Sequence, residues 1–549
     1  MSSAHPRPFY YLENFETALS WLRQRYDDLL SDEERAFMTT FEALPIPSRA
    51  LLVRMIMRKG DLFRSSKLGY EEIGCPRAAA RALIEAGWVD ERPLLGISAL
   101  FALFRKDELA EIFRLPPSAR SLLKPDLFAR LAAHSIECRT FDAWWPGSPE
   151  VVFRVRVLDL CERLRLMFFG NFDQTWSEFV LADLGIFNYE KVPLSPAARA
   201  FQRREHIDDF HAIFRCRQRF QRDEPADRIL EDLPAPPADN AWLASRRAKL
   251  IFRMAQRYEK AQELHAALDL YRTCGHPGAR VRAIRVLERA ERWSEAAELA
   301  RQAELAPEDD VERQHVSRIL PRLARRLGGP PASRRRTEGW TTFNLSVPAP
   351  EVELSVEHAT RAFLTEPHAP VHYVENSLIN SLFGLLCWDV IFLPLPGAFF
   401  HEFHAAPADL FAPDFQRRRE AHFEACLTQL STGEYRATMR RTFERKAGIQ
   451  SVFVSWGLLT SELLEVALEC LPPAHLERCF RRILQDVKSN RAGLPDLIQF
   501  WPRERRYRMI EVKGPGDRLQ DNQIRWLEFC ASHGMPVSVC HVRWAEGVH

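Results

Sequence analysis

The sequence predicts a multidomain chain, mainly α-helical through its N-terminal and middle regions and α/β in its C-terminal domain. Three observations predict this. Helical apolar spacing opens the chain, as in Phe15, Leu19, Leu22, Tyr26, Leu29 and Leu30, and persists through its middle. Proline-rich hinges interrupt it at residues 232–239 (DLPAPPAD) and 328–336 (GGPPASRRR). From Asp496 the period changes: two apolar runs split by a charged turn, then a helix, then a third apolar run, the order β-β-α-β.

At 549 residues the chain is long enough for several full-sized cores. Apolar residues at 46% and charged residues at 27% place it among globular proteins and exclude disordered and fibrous classes. The net charge is only +2, so any nucleic-acid binding must come from local basic patches. Eleven cysteines are scattered with no C-x-x-C pair, and no signal peptide is apparent, which together predict a reducing, intracellular setting. The apolar run 378–400 contains Asp389, Pro394 and Pro396, so it predicts a buried helix and strand and not a membrane span. His401 and His404 fall one residue short of the H-E-x-x-H zinc spacing.

In chain order, the first region (1–93) holds helical patterns over 15–30 and around Leu51, Leu52, Met55 and Ile56. Residues 58–70 (RKGDLFRSSKLGY) then place Arg58, Lys59, Arg64 and Lys67 among small residues between helices. This composition suits contacts to a phosphate backbone and equally suits a solvated loop. Residues 71–87 predict a helix closed by Gly87. The second region (94–231) predicts helices over 97–113 and 124–134 around the loop 115–120, with Arg105 and Lys124 among its cations. Residues 151–192 follow as helix and short strands of a core. In the third region (232–340), YEKAQELHAALDLYRTC and WSEAAELARQAELAP repeat a small-residue and aromatic pattern about 35 residues apart, the tetratricopeptide-like period. One helix there is striped by Arg280, Arg282, Arg285, Arg289 and Arg292, another by His315, Arg318, Arg322 and Arg325. Such stripes are usually solvated.

The last region (341–549) carries the chemistry. Residues 371–378 read as the opening of a helix. Side chains alternate along a strand, so Glu511 and Lys513 share one face and Val512 takes the other. Asp496 opens the neighbouring strand, so one hairpin gathers two carboxylates and an ammonium. Hard divalent ions favour such oxygen donors, and a lysine beside one serves to orient water or to stabilise phosphate charge. That set fits phosphodiester hydrolysis.

The spacing P-D-x(14)-E-x-K resembles that of the PD-(D/E)xK nucleases. GLPDLIQFW, RMIEVKGPGDRLQDNQIRWL and VSVCHV resemble the virus-type replication-repair nuclease (VRR-NUC) domain, most closely its Fanconi-associated nuclease branch. The basic loop with LIEAGWVDE, the helix-loop-helix of a SAP type, ENSLINSLFGLLCWDVIF and VFVSW extend the resemblance along nearly the whole chain, although Gly457 stands where the family has an acidic residue. The resemblance implies a helical DNA-binding region (1–93), a SAP-like region with its following block (94–231), a tetratricopeptide-like spacer (232–340) and the nuclease (341–549). It also implies Mg²⁺ or Mn²⁺ held by Asp496, Glu511, the Val512 carbonyl and Glu375, with Lys513 assisting the nucleophile and Gln523 orienting the site. Arg58, Lys59, Arg64, Lys67, Arg105, Lys124 and Arg491 would grip DNA, and the helical spacer would supply a basic pocket for the 5′ end of the cut strand. The implied activity is 5′-flap endonuclease and 5′-to-3′ exonuclease on flapped, branched or cross-linked DNA in repair, with no membrane or nucleotide cofactor. In a microbe it would act at the nucleoid in the cytoplasm, in a eukaryote in the nucleus. The chain has no Cys/His cluster for a ubiquitin-binding zinc finger, as befits a compact microbial member. A Holliday-junction resolvase and a non-catalytic branched-DNA scaffold are the alternatives.

Overall fold

The computed structural model describes residues 8–116, 122–133, 137–172, 174, 176, 188–195, 198–199, 201–235, 239–329, 339–348, 355–401 and 404–545. The expected loop 115–120 and both hinges lie partly outside them, as does most of the strand-bearing part of 151–192. The chain forms two compact units, residues 1–187 with 194–211, and residues 188–193 with 212–549.

In the first unit the helices Tyr10–Tyr26, Asp32–Ala43 and Ile46–Ile56 bury Phe15, Leu22, Phe41 and Leu51. Ser31 caps the second of these through a capping box with Glu34. The fully buried Glu34 carboxylate also receives Arg163 at 2.8 Å and Arg204 at 2.6 Å. A small antiparallel sheet joins β1 (Leu62–Arg64), β2 (Val89–Asp90) and β3 (Val152–Val155) in the order β1-β3-β2.

Two expected helices are shorter than their patterns. The one expected over 71–87 starts at Pro76, where a fixed φ and missing N–H suit the first turn, and Gly87 follows its end at φ +75°. The one expected over 97–113 is two helices, Ile97–Leu103 and Lys106–Ile112. The break falls at Arg105, whose backbone N–H is taken by the Glu108 carboxylate at 2.6 Å. Leu100, Phe101, Phe104, Leu109 and Leu127 then join both pieces to the Lys124–Ala132 helix in one apolar cluster.

In the second unit the helices Ala241–Lys260, Leu264–Thr273, Ala279–Arg289, Trp293–Leu305 and Asp310–Arg326 each pack on the next. Buried Ala267, Ala283, Ala296, Ala300 and Ala303 let them approach closely.

The α/β part is built on a five-stranded sheet of order β4-β8-β7-β6-β5. Its strands are β4 (Thr341–Pro348), β5 (Val371–Tyr373), β6 (Leu497–Trp501), β7 (Arg506–Lys513) and β8 (Val537–Ala545). β6 and β7 form the expected hairpin, and β8 runs parallel to β7 after the Asp521–Ser532 helix. β4 adds in parallel to the far side of β8. β5 is a departure: in place of a helix opening over 371–378, Val371, His372 and Tyr373 pair with Gln499, Ile498 and Leu497. A β-branched and two aromatic residues suit that edge position. The helix begins only at Leu378 and is buried all round through Leu386. Gly384 in it has no room for a side chain, since a Cβ there would lie 2.8 Å from that of Phe453. No helix among the described residues is long and apolar enough to cross a membrane.

Candidate active site

The β6-β7 register places Leu497 opposite Ile510, so the next pair outward is Asp496 opposite Glu511. The Val512 N–H donates to Asp496 Oδ2 at 2.8 Å, fixing one carboxylate to the strand that carries the other. Asp496 is 6% exposed, Glu511 fully buried and Lys513 7% exposed. Lys513 Nζ pairs with Glu511 Oε1 at 2.9 Å, and Glu511 Oε2 has no hydrogen-bond partner. Burial pushes the Glu511 carboxyl up to about 8, with the Asp496 charge adding to the rise and Lys513 opposing it. Burial likewise raises Asp496 to about 6, against the Val512 hydrogen bond and with the Glu375 charge adding.

Glu375 arrives from the turn between β5 and the Leu378–Leu386 helix. Tyr373 donates its hydroxyl to Glu375 Oε2 at 2.6 Å, and Asn376 Nδ2 donates to Oε1 at 3.2 Å. The Val374 N–H donates to the Asp496 carbonyl at 2.8 Å, tying the two acidic segments together. Gly493, at φ +93°, lets the segment before Asp496 lie on the start of the Asp521–Ser532 helix, where a Cβ would meet Asn522 at 2.7 Å. A buried carboxylate with one oxygen left without a partner, two more carboxylates beside it and a lysine make a donor set that fits a hard divalent cation.

Gln523 spends its amide oxygen on the Gln520 N–H at 2.8 Å, closing the cap of its own helix. No described contact joins it to the carboxylates. Tyr373 and Asn376 touch Glu375 although sequence reasoning passes over both. The one available signal is an asparagine just ahead of a helical pattern, a residue type that tolerates left-handed backbone.

The DNA-binding set divides. Arg58, Lys59 and Lys67 are exposed, with Arg58 Nη1 bracing the loop through the Lys67 carbonyl at 2.8 Å. Arg105 is exposed. Arg64 is a correction: it is buried, paired with Glu108 at 2.6 Å and Glu150 at 2.7 Å, and its guanidinium lies 4.4 Å over Phe104. Those partners consume its donors, so it holds the fold and has none to offer a phosphate. Lys124 donates to the Phe104 carbonyl at 2.8 Å. Arg491 lies just upstream of Asp496, its guanidinium 5.9 Å from the Phe411 ring centre.

The two cationic stripes of the helical region share one cavity of about 650 Å³. Arg282, Arg285 and Arg289 line it with His315, Arg318, Arg322 and Arg326, against Glu259, Glu288 and Asp521. Glu259 pairs with Arg282 and Arg289, Glu288 with Arg322, and Asp521 with Arg318. Arg285 meets His315 Nδ1 at 3.4 Å, and burial with the Arg285 charge lowers the pKa of that imidazole. Arg326 lies 5.3 Å from the Trp293 ring. The cavity is therefore positive on balance. Arg280 and Arg292 turn instead to Glu312 and Glu295, and Arg325 lines a neighbouring cavity.

A strand pair carrying Asp, Glu and Lys on one face, followed by a helix and a parallel strand, defines a PD-(D/E)xK nuclease, a class that depends on a divalent metal. The VRR-NUC domain family matches residues 430–544, the FAN1 HTH domain 9–90 and the Fanconi anemia-associated nuclease SAP domain 94–144. A Fanconi-associated nuclease 1 homolog from Pseudomonas aeruginosa is 54% identical over 99% of this chain and 97% of its own. The human Fanconi-associated nuclease 1 is 26% identical over 98% of this chain and 63% of its own. A crystal structure of paFAN1 bound to 2-nucleotide 5′-flap DNA with a gap superposes with a TM-score of 0.93, covering 99% of this chain and 100% of that one. The chain belongs to the Fanconi-associated nuclease family and is a DNA-cutting phosphodiesterase.

Proposed function

We propose that the protein is a structure-selective 5′-flap endonuclease and 5′-to-3′ exonuclease that uses Mg²⁺ or Mn²⁺ in DNA repair, including the repair of interstrand cross-links. The observation that carries this reading is Glu511, a fully buried carboxylate beside Asp496 that meets only the Lys513 ammonium and leaves its second oxygen without a partner. Asp496, Glu511 and Glu375, with the Val512 carbonyl, hold the ion. When bound, the ion supplies Lewis acidity toward the phosphate and lowers the pKa of a water molecule. Lys513 orients the water for in-line attack and stabilises charge gathering on phosphorus. Gln523 steadies the helix that flanks the site.

The substrate preference rests on two supports. The 54% identical paFAN1 was crystallised with 5′-flap DNA. The cavity lined by Arg285, His315 and Arg326 has the excess cationic character that a terminal 5′-phosphate requires. Regions 1–93 and 94–231 then grip duplex, region 232–340 receives the 5′ end, and region 341–549 cuts. Such a protein works on the nucleoid of a bacterial cell.

The test is cleavage of end-labelled 5′-flap, 3′-flap and Holliday-junction DNA with either metal, alongside Asp496→Ala. Cutting beside the 5′-flap junction that disappears in the variant supports the proposal. Symmetric junction cleavage assigns a resolvase, and binding without cutting under both metals assigns a scaffold.

A further inference from the structure

Glu375 is the exposed member of the acidic set, and a free glutamate on a turn samples several rotamers. This one is held at both oxygens, by Tyr373 at 2.6 Å and Asn376 at 3.2 Å. Each holder is itself anchored. The Tyr373 ring lies on strand β5 and stacks on His358 with centres 5.0 Å apart. Asn376 sits at φ +50°, a left-handed conformation unusual for a residue with a side chain.

That conformation turns the Asn376 amide toward two partners at once. Its Nδ2 reaches Glu375, while its Oδ1 accepts the Leu494 N–H at 3.1 Å, two residues before Asp496. Asn380, only 3% exposed, adds a second tie by donating to both the Asn376 carbonyl at 2.7 Å and the Arg491 carbonyl at 2.8 Å. With the Val374 to Asp496 backbone bond, three ties join the Glu375 turn to the segment that delivers Asp496.

We infer that Tyr373 and Asn376 are positioning residues that lock the Glu375 carboxylate at a fixed offset from Asp496 and thereby set the affinity for the divalent ion. The inference rests on the nuclease reading of this site. A locked carboxylate loses little rotamer freedom when it coordinates, whereas an unlocked one must be ordered by the ion itself. Each carboxylate oxygen keeps a lone pair for the ion after accepting one hydrogen bond. The two residues act through Glu375, so their loss weakens ion binding and leaves the chemistry of the loaded site nearly intact.

The experiment measures Mn²⁺ binding to the full chain without DNA, by electron paramagnetic resonance of the free ion. It compares the wild type with Tyr373→Phe, Asn376→Gly and Asp496→Ala. Glycine keeps the left-handed backbone while deleting the amide, which separates the hydrogen bond from strain relief. Tyr373→Phe and Asn376→Gly should each raise the Mn²⁺ dissociation constant about tenfold. In flap cleavage both should shift the Mn²⁺ half-saturation point by a similar factor, with kcat recovered at high Mn²⁺. Wild-type Mn²⁺ affinity in both variants overturns the inference and leaves the nuclease reading standing, provided Asp496→Ala abolishes binding. Absent binding in the wild type, or unchanged binding in Asp496→Ala, overturns both.

Discussion

The Val512 N–H points at Asp496 Oδ2 from 2.8 Å, so one carboxylate of the candidate site is held by the backbone between Glu511 and Lys513. Removing the Asp496 side chain takes away an ion donor and frees that N–H together. Asp496→Ala should lower flap cleavage by at least ~10³-fold while the protein still binds DNA. Single-turnover cleavage beside a filter-binding assay checks both halves.

The raised acids make metal binding pH-dependent. In the metal-free protein Glu511, pushed up to about 8, holds its proton at neutral pH, and Asp496, pushed up to about 6, holds one only below it. Binding an ion must release them. Mn²⁺ affinity should therefore rise with pH through 6 to 8, with proton release visible when calorimetry is repeated in buffers of different ionisation enthalpy.

The same buried carboxyl acts on stability with the opposite slope. The folded-state pKa of Glu511 exceeds its unfolded value, so the native chain binds the extra proton. That stabilisation is complete below the unfolded value of about 4.5 and is lost as pH rises through about 8, at about 1.4 kcal/mol for each tenfold difference in proton affinity between the two states. Metal-free wild type should melt at progressively lower temperature from pH 5 to pH 9, and Glu511→Gln should flatten this trend while abolishing cleavage. Thermal denaturation across that range decides it.

Arg64 and Lys59 neighbour one another in sequence and should behave differently. Arg64→Ala leaves Glu108 and Glu150 without their cation and should destabilise the first unit by roughly 3–5 kcal/mol. Lys59→Ala should leave the melting temperature unchanged and reduce the salt slope of DNA binding by about one. Melting curves and salt titrations of the two variants separate the roles.

Arg285 meets only the His315 ring among its described contacts in the cationic cavity. Arg285→Ala should weaken cleavage of 5′-phosphorylated flaps by about 10–100-fold and barely alter 5′-hydroxyl flaps. Competition between the two substrates in one reaction measures the ratio.

The acidic hairpin is legible in the sequence because strand alternation is local: Glu511 and Lys513 share a face by their spacing alone, and Asp496 follows from a short turn. The edges of the sheet are not legible. β5 looks like the lead-in to a helix because its partner, β6, lies more than a hundred residues downstream. Arg64 looks like a loop cation because the three-residue β1 is too short to show a period, and only its pairing with β3 turns the side chain inward. The Arg285 and His315 stripes look solvated because a helical face reveals its own composition and never the helix it will meet. The asparagine that grips Glu375 leaves only the trace of its type ahead of a helical pattern, since its role comes from one backbone angle.

Strand β4 hydrogen-bonds along its whole length to β8, Thr341 opposite Ser538 and Pro348 opposite Ala545. β8 in turn supplies the second neighbour of β7, which carries Glu511 and Lys513. During synthesis, then, the ribosome has made β6 and β7 before it makes the strand that flanks β7, and β4 waits for its partner until then. Closing so long a loop is slow. A nascent or prematurely terminated chain lacking β8 leaves β7 with a bare edge on the side away from β6.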